Sequence, residues 1–241
     1  MPGAASNRRS TDMDHILRVA SYNLHDFKDD ADAAVRVIRC INPDVLCLQE
    51  VPRRLMSGHR VASFAARCGL NWSGGHRGSG GTTVMSGLRT EVVDTVHASL
   101  RVAWPQRRRG YAVSSVRLPG HQVVGCVSIH LSLDAEERMA HAATVLDAVL
   151  GDRLSIVAGD LNEGPSGLAW RAIAGRLGAV SRDAPTFPAG NPRHRLDVIF
   201  ASPELSVVPS TPVELDPEDL LAASDHLPVW ADLDLANLAL S

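Results

Sequence analysis

Polar side chains able to do acid–base or metal chemistry follow one short apolar run after another in this sequence. In chain order they are Asn23, Glu50, His130, Asp160, Asn162, Asp197, Asp225 and His226. Each one alone has a structural explanation, such as a solvated strand end, a turn residue or a hydrogen-bonded core histidine. Gathered at one edge of paired sheets, they would form a polar cleft, and so many desolvated groups together indicate a functional site.

The types of these residues favour metal-assisted hydrolysis. Carboxylates and amides without cysteine suit a hard cation, Mg²⁺ or Mn²⁺, better than zinc. A histidine with a reference pKa of about 6.5 can take a proton from an attacking water, and a buried carboxylate can hold its tautomer. The sequence has no H-E-x-x-H, G-x-S-x-G or G-x-x-x-x-G-K motif, which argues against zincin, serine-hydrolase and P-loop chemistry.

Strands and helices must position these residues. Short apolar runs predict strands at 45–48, 83–85, 123–129, 155–158, 198–200 and 229–233, and a further run ends at Asn23. Apolar residues spaced by three and four predict helices at 30–41, 57–68, 134–150 and 166–177, with Asp134 capping the third. The Pro-rich stretch 203–217 is predicted to be an extended loop. Strands with irregularly placed helices favour two sheets with helices outside over an alternating parallel sheet.

The composition is typical of one compact domain. Of 241 residues, 45% are hydrophobic and 21% are charged, so we predict a single catalytic domain over 16–241 after a disordered tail, 1–15. A net charge of −3 gives no global field that attracts nucleic acid, although a cleft can be locally basic. We find no leader-like segment and no run of membrane-spanning length, which predicts a cytoplasmic protein without stable membrane insertion.

The cysteines show no metal-binding or redox spacing, and we expect all of them to be reduced core residues. They are Cys40, Cys47, Cys68 and Cys126. On the third predicted helix, Glu137 and His141 lie one turn apart, and we expect them to form a surface pair.

Six motifs resemble the ordered motifs of the endonuclease/exonuclease/phosphatase superfamily, which includes pancreatic deoxyribonuclease and the abasic-site endonucleases. They are VASYNLHDF, PDVLCLQEV, VSIHLSLDAEERMAHAATVL, VAGDLNEGP, RLDVIF and SDHLPV. The resemblance covers nearly the whole chain. It implies a four-layered α/β sandwich, with two mixed β-sheets packed face to face and helices outside. It also implies metal-dependent hydrolysis of a phosphate ester.

The resemblance implies a role for each motif residue. Glu50 is similar to the principal magnesium ligand, with Asn23 beside it and Asp225 closing the metal site. The catalytic residues that it implies are His226 as the general base, Asp197 as the carboxylate that orients it, Asp160 and Asn162 as the pair that positions water and phosphate, and His130 as a phosphate contact. Because adjacent strand residues point to opposite faces, Asp225 and His226 must lie at a bend or a strand end to serve one site.

Two arginine clusters lie in predicted loops or at strand starts. One is Arg107, Arg108 and Arg109, and the other contains Arg193 and Arg195 close to Asp197. Such clusters are either solvated surface or grips for substrate phosphates, and both interpretations stay open. The candidates for substrate binding are Arg109, Arg193 and Arg195.

Substrate class is not decided by these motifs. Tyr22 and Tyr111 are the only tyrosines, so a Tyr- and Asn-rich segment that stacks on DNA is missing, which argues against abasic-site specificity. A Mg²⁺-dependent phosphodiesterase acting on nucleic acid is favoured. A hydrolase of phospholipid headgroups or small phosphate esters is the alternative, because one fold serves many substrates. A binding module without catalysis ranks last, since every motif position is filled.

Overall fold

The computed structural model describes residues 14–54, 56–104, 107–149, 154–210 and 212–240. The predicted tail, 1–15, therefore lies almost wholly outside the described residues. The strands are β1 (Ile16–Asn23), β2 (Val45–Gln49), β3 (Thr83–Ser86), β4 (Glu91–Leu100), β5 (Arg109–Arg117), β6 (Val124–His130), β7 (Ser155–Asp160), β8 (Gly178–Ala179), β9 (Asp197–Ala201), β10 (Ser206–Val208) and β11 (Val229–Asp234). The α-helices are α1 (Ala31–Ile41), α2 (Ser57–Cys68), α3 (Ala135–Val149), α4 (Leu168–Ala174) and α5 (Pro217–Ala223).

The strands form two mixed sheets. The first has the order β10-β11-β1-β2-β3 and the second the order β4-β5-β6-β7-β9-β8. In the first sheet β1 is parallel to β2 and antiparallel to β11, so strands from the two ends of the described chain are neighbours. In the second sheet β6 is parallel to β7, and β7 is antiparallel to β9.

Three apolar clusters define the order of the layers. The central cluster lies between the sheets and combines residues such as Val19 and Val45 with Cys126 and Ile156. A second cluster packs α1 and α2 on the outer face of the first sheet, and a third packs α3 and α4 on the outer face of the second. The predicted four-layered α/β sandwich is confirmed.

The inner faces of the sheets change from apolar to polar toward one end. On β1, the strand period of two turns inward the side chains of Leu17, Val19, Ser21 and Asn23. A buried polar layer follows the apolar core: Gln49 Nε2 donates to Ser128 Oγ of the opposite sheet at 3.0 Å, and Gln49 also bonds Ser21. This layer satisfies its own hydrogen bonds, as buried polar groups must, and it separates the apolar core from the polar cleft beyond it.

The predicted helices are all present, with bounds close to those expected. Two of them begin where a polar residue satisfies free amides: Asp30 accepts from Asp32 N and Ala33 N at the start of α1, and Asp134 accepts from Glu136 N and Glu137 N before α3. The predicted cap at Asp134 is confirmed. Among the described residues, no helix combines the length and apolar character that crossing a membrane requires.

The loop predicted for 203–217 is wrong in part. It contains β10, which pairs with β11, and its last residue, Pro217, begins α5 behind the cap Asp216. The strands β4 and β5 were also not predicted. The side chains of β4 are mostly exposed or half-buried, and a bulge between Val92 and Asp94 breaks its alternation, so it lacks the apolar run that marked the other strands.

Two expectations about single side chains are also wrong. His141 is buried, with Nε2 bonded to the Arg101 carbonyl at 2.7 Å, and Glu137 bonds the Ala103 amide and the Ser132 hydroxyl. The segment that follows β4 covers this face of α3, so the two do not form a surface pair. All the cysteines are free, but Cys40 is exposed, because it lies on the solvent side of α1.

Candidate active site

Three candidate residues lie in one row across the second sheet. His130 is the register partner of Asp160 on the parallel strand, and Asp160 is the register partner of Asp197 on the antiparallel strand. Register partners share a face of a sheet, so all three side chains point toward the first sheet. Each is at least 98% buried, at the polar end of the inter-sheet space.

His226 joins this row from the loop between α5 and β11. Its Nδ1 lies 2.8 Å from Asp197 Oδ2, and the same oxygen accepts a hydrogen bond of 2.6 Å from Thr186 Oγ1. Because this carboxylate oxygen accepts hydrogen bonds, Nδ1 is the donor, and Nε2 is the nitrogen that takes up or releases a proton. The predicted orienting contact between Asp197 and His226 is present, and Asp225 and His226 lie before a strand, as their adjacency required.

Asp160 connects the two sheets at the centre of the site. Its Oδ2 accepts from Asn23 Nδ2 at 3.0 Å and lies 3.4 Å from His130 Nε2 and 3.8 Å from His226 Nε2. Its Oδ1 accepts from the backbone amide of Asn162 at 2.8 Å. Asn162 has φ 53°, in the left-handed region, and this turn aims its amide at the carboxylate. The side chain of Asn162 donates to the Leu131 carbonyl.

Glu50 turns into the same cleft at the end of β2. Its φ is 50°, and its carbonyl accepts from the Asp26 amide at 2.7 Å. Its Oε1 lies 4.0 Å from His130 Nε2, so Glu50 and Asp160 face the same imidazole. Asp225 lies at the rim, where its Oδ1 is 3.9 Å from His25 Nδ1.

One group of described residues has donor atoms close enough together to hold a metal ion. Donor atoms of Asp160, Asp197 and His226 all lie within 4.8 Å of one another. A cation among these three would have to break the 2.8 Å bond between His226 and Asp197. The ligands predicted from the sequence are Asn23, Glu50 and Asp225. Asn23 bonds Asp160, and the side chains of Glu50 and Asp225 are 21% and 41% exposed; their role as metal ligands stays a prediction.

Burial and neighbouring charge shift the pKa values of the central residues. Burial raises the pKa of Asp160 to about 7, with repulsion from Asp197 adding to the rise. Burial lowers the pKa of His226, but the charge of Asp197 and its hydrogen bond raise it more, to about 9. Burial holds the pKa of His130 well below its ordinary value, assisted by the charge of Arg109. His130 therefore favours its neutral form, whereas His226 favours its charged form.

The predicted arginines divide between two places. Arg109 is buried, and the charges of Glu50 and Asp160 oppose the lowering of its pKa by burial, so it lies within electrostatic reach of the cleft. Arg193 and Arg195 line a separate cavity of about 470 Å³. Arg195 already donates hydrogen bonds to Asp183 and to the Ser181 carbonyl, and it stacks on the Trp170 ring. A substrate role for Arg193 and Arg195 stays a prediction.

Sequence reasoning missed the residues that hold the predicted ones in place. Thr186 donates to Asp197 and orients it. The sequence around Thr186 contains no pattern that indicates a site residue. Ser224 accepts from the His226 amide at 3.3 Å and donates to the Asn23 carbonyl at 2.7 Å, which ties the His226 loop to β1. Its position directly before Asp225 and His226 was a signal that could have found it.

The comparison with protein families agrees with this geometry. The model of the Endonuclease/Exonuclease/phosphatase family matches residues 19–226, a range that contains every predicted site residue from Asn23 to His226. The chain belongs to the endonuclease/exonuclease/phosphatase family. As that name states, its members are nucleases and phosphatases, so the predicted family and the predicted class, a phosphoric ester hydrolase, are confirmed. Among curated proteins no sequence matches this chain.

Solved structures of the endonuclease/exonuclease/phosphatase family share this fold. A family protein from Beutenbergia cavernae DSM 12333 is 28% identical with a TM-score of 0.72, over 92% of this chain and 72% of that one. The mannosyl-6-phosphatase Bt3783 of Bacteroides thetaiotaomicron VPI-5482 is 18% identical with a TM-score of 0.67, over 90% and 99%. The human Nocturnin catalytic domain with bound sulfate is 19% identical with a TM-score of 0.63, over 92% and 95%. The last two show similarity of fold alone.

Proposed function

We propose that this protein is a Mg²⁺-dependent phosphodiesterase that acts on nucleic acid and uses His226 as its general base. The observation that carries the proposal is the buried triad of Thr186, Asp197 and His226. It fixes the imidazole with Nδ1 as donor and Nε2 toward Asp160, 3.8 Å away. A base oriented in this way next to carboxylates suits the attack of water on a phosphate ester.

Each residue of the cleft has a separate role in hydrolysis. His226 takes the proton of the attacking water at Nε2, and Asp197 stabilises the imidazolium that forms. Asp160, held by Asn23 and by the Asn162 amide, orients the water. Neutral His130 donates a hydrogen bond from Nε2 to a phosphoryl oxygen.

The donor set of Asn23, Glu50 and Asp225 is suited to Mg²⁺ or Mn²⁺. Such a cation would neutralise charge on the phosphoryl oxygens and polarise the ester. A cation held there would also lower the pKa of His226, because it would repel the imidazolium form. Lowering the pKa from about 9 toward neutrality increases the fraction of His226 that can act as a base.

Replacing Glu50 with Gln should weaken the dependence on the metal. The amide keeps the shape of the side chain but removes the charge that attracts a hard cation, so we expect the Mg²⁺ concentration for half-maximal activity to rise by about tenfold or more. A Mg²⁺ titration of turnover measures this. Glu91→Gln, which changes an exposed carboxylate paired with Arg117, is the control. An unchanged titration in Glu50→Gln would contradict its assignment as ligand.

Replacing Asp197 with Asn should remove the charge but keep the geometry. Thr186 Oγ1 accepts from the amides of Leu196 and Asp197, so its proton goes to residue 197 and the amide oxygen must take the place of Oδ2. The bond to Nδ1 then survives without the charge of the carboxylate. The loss is the difference between a charged and a neutral hydrogen bond, about 1–1.5 kcal/mol, or about 5–15-fold in turnover.

The pH profile separates this effect from a structural defect. A base works only when unprotonated, so the raised pKa of His226 sets the acid limb of the activity profile. Without the charge of Asp197 that pKa falls, and the acid limb of Asp197→Asn should move to lower pH while the plateau drops. A lower plateau with an unmoved limb would mean that Asp197 does not act through His226.

The first test of function is nicking of supercoiled plasmid with Mg²⁺, with chelator as a control. Chelator-sensitive nicking supports the proposal. The alternative substrates are phospholipid headgroups or small phosphate esters, and the fold similarity to a mannosyl-6-phosphatase keeps the second of these in view. Failure to nick by folded protein that binds Mg²⁺, with release of phosphate from sugar phosphates, would replace the proposal by this alternative.

A further inference from the structure

A basic pocket lies outside the group of residues that the reaction uses. It has a volume of about 620 Å³, and its charged lining consists of Lys28, Arg53, Arg54, Arg60, Arg107 and Asp26. Five cations thus face one carboxylate, although the chain as a whole has a net charge of −3. Positive charge concentrated in a concave surface attracts anions more strongly than the same charge spread over a flat surface.

The pocket adjoins the catalytic cleft. Arg107 Nη1 lies 3.2 Å from Asp26 Oδ2 and 3.8 Å from Glu50 Oε2, so one side chain touches both the pocket and the cleft. Arg53 follows Glu50 by three residues. A substrate with its reacting phosphate in the cleft would therefore extend directly into the pocket.

Some of the cations are held in place and others are without a carboxylate partner. Arg53 donates to the Arg108 carbonyl at 3.2 Å, and a Cβ at Gly81 would come within 3.1 Å of its Cδ, so Gly81 permits its position. Arg60 lies over the Phe27 ring at 5.8 Å. In the described part of the chain, Lys28, Arg54 and Arg60 have no ion-pair partner.

The cavity around Arg193 and Arg195 differs in this respect. Arg195 already bonds Asp183 and stacks on Trp170, so its charge is largely compensated within the protein. Clustered cations that lack a carboxylate partner repel one another, and a bound anion relieves this repulsion. The basic pocket is therefore the better site for a phosphate.

We propose that the basic pocket binds a second phosphate of the substrate, next to the phosphate that is hydrolysed. The ligand is a phosphodiester that carries at least one more phosphate nearby, either the neighbouring backbone phosphate of a nucleic acid or the terminal phosphate of a short nucleotide. Arginine side chains can bind either kind of phosphate through two parallel hydrogen bonds. The pocket volume of about 620 Å³ is larger than one phosphate group fills. This inference rests on the proposed function and names the substrate feature that it recognises.

The test compares substrates with one and with several phosphates in the double variant Arg54→Ala/Arg60→Ala. Both side chains are exposed, so the fold should tolerate their loss. We expect kcat/KM for a short single-stranded oligonucleotide to fall about tenfold more than kcat/KM for bis(p-nitrophenyl) phosphate, mainly through KM, since charge-assisted bonds to phosphate are lost. The control variant Arg39→Ala/Arg117→Ala removes two surface arginines elsewhere. It should leave kcat/KM unchanged for both substrates.

Binding supplies a readout that does not need turnover. In the His226→Ala background, fluorescence anisotropy with a labelled oligonucleotide should show weaker binding for Arg54→Ala/Arg60→Ala. The slope of binding against salt should become smaller by about one for each phosphate that an arginine no longer neutralises. Equal losses on both substrates, or unchanged binding and salt slope, would overturn the proposal. Wild-type protein that binds the oligonucleotide through the pocket but hydrolyses no phosphodiester would contradict the proposed function and leave the pocket assigned.

A further arm identifies the source of the second phosphate. A nucleoside 5′-phosphate 3′-(p-nitrophenyl phosphate) carries a terminal phosphate beside the scissile diester. Turnover of this compound that depends on Arg54 and Arg60 supports the terminal phosphate. If only turnover of the oligonucleotide depends on Arg54 and Arg60, the second phosphate is the neighbouring backbone phosphate.

Discussion

His226→Ala should lower kcat by about 10²–10⁴-fold, the range that a positioned general base contributes. The variant removes the side-chain nitrogen that Asp197 and Thr186 together orient toward Asp160. Water in the resulting space can still be oriented by Asp160, but the imidazole that takes its proton is gone. Steady-state hydrolysis of a chromogenic phosphodiester measures the loss.

The controls separate loss of the base from loss of the fold. His121→Ala removes a surface histidine whose only described side-chain hydrogen bond is to the Pro119 carbonyl, and we expect it to keep full activity. Circular dichroism and Mg²⁺ calorimetry should show that His226→Ala is folded and still binds the metal. Added imidazole should restore part of its turnover, because it can occupy the vacated space. A folded variant with near-normal turnover would refute the role of His226.

Gly159→Ala should destabilise the protein by about 3 kcal/mol or more, since the second sheet has no room for a methyl group at this position. Gly159 precedes Asp160 in β7, and its Cβ would lie 2.0 Å from the carbonyl oxygen of Ile129, on the neighbouring strand. That contact is with backbone, which cannot swing aside as a side-chain tip can. We expect thermal unfolding to shift down by about 6 °C or more for a chain of this size.

Gly125→Ala is the matched control for Gly159→Ala. It lies in β6, and the nearest atoms to an added Cβ are 3.7 Å and 3.9 Å away, which is ordinary van der Waals distance. Its stability should change by less than about 1 kcal/mol. Equal melting temperatures for the two variants would show that the strands can separate enough to admit the methyl group.

The sequence predicted those parts of the fold whose signals are local. The short apolar run that ends at Asn23 marks β1, and the spacing of apolar residues marks α1 and α2. The site residues stood out because most of them end, directly follow or begin a strand that is buried on both faces. Their position at one edge of two paired sheets was expected from the fold of the family whose motifs they resemble. The structure places His130, Asp160 and Asp197 in one row across the second sheet.

The remaining features depend on contacts between distant segments. The hydrogen bond between Thr186 and Asp197 is formed by a loop whose sequence has no periodic pattern. A threonine and an aspartate in a sequence do not predict that they will be bonded to each other. The basic pocket combines Lys28, Arg54, Arg60 and Arg107 from separate segments, and only the fold brings them together. The strand β4 was missed because its exposed edge position removes the apolar alternation that identifies a strand.

The pairing of β1 with β11 has a consequence for the newly made protein. During synthesis β1 leaves the ribosome about two hundred residues before its antiparallel neighbour β11, and contacts so distant along the chain form late. His226 is made only just before that neighbour, so a growing polypeptide holds most of the cleft before it holds His226. Any hydrolysis that depends on His226 therefore cannot begin before the chain has been made as far as β11.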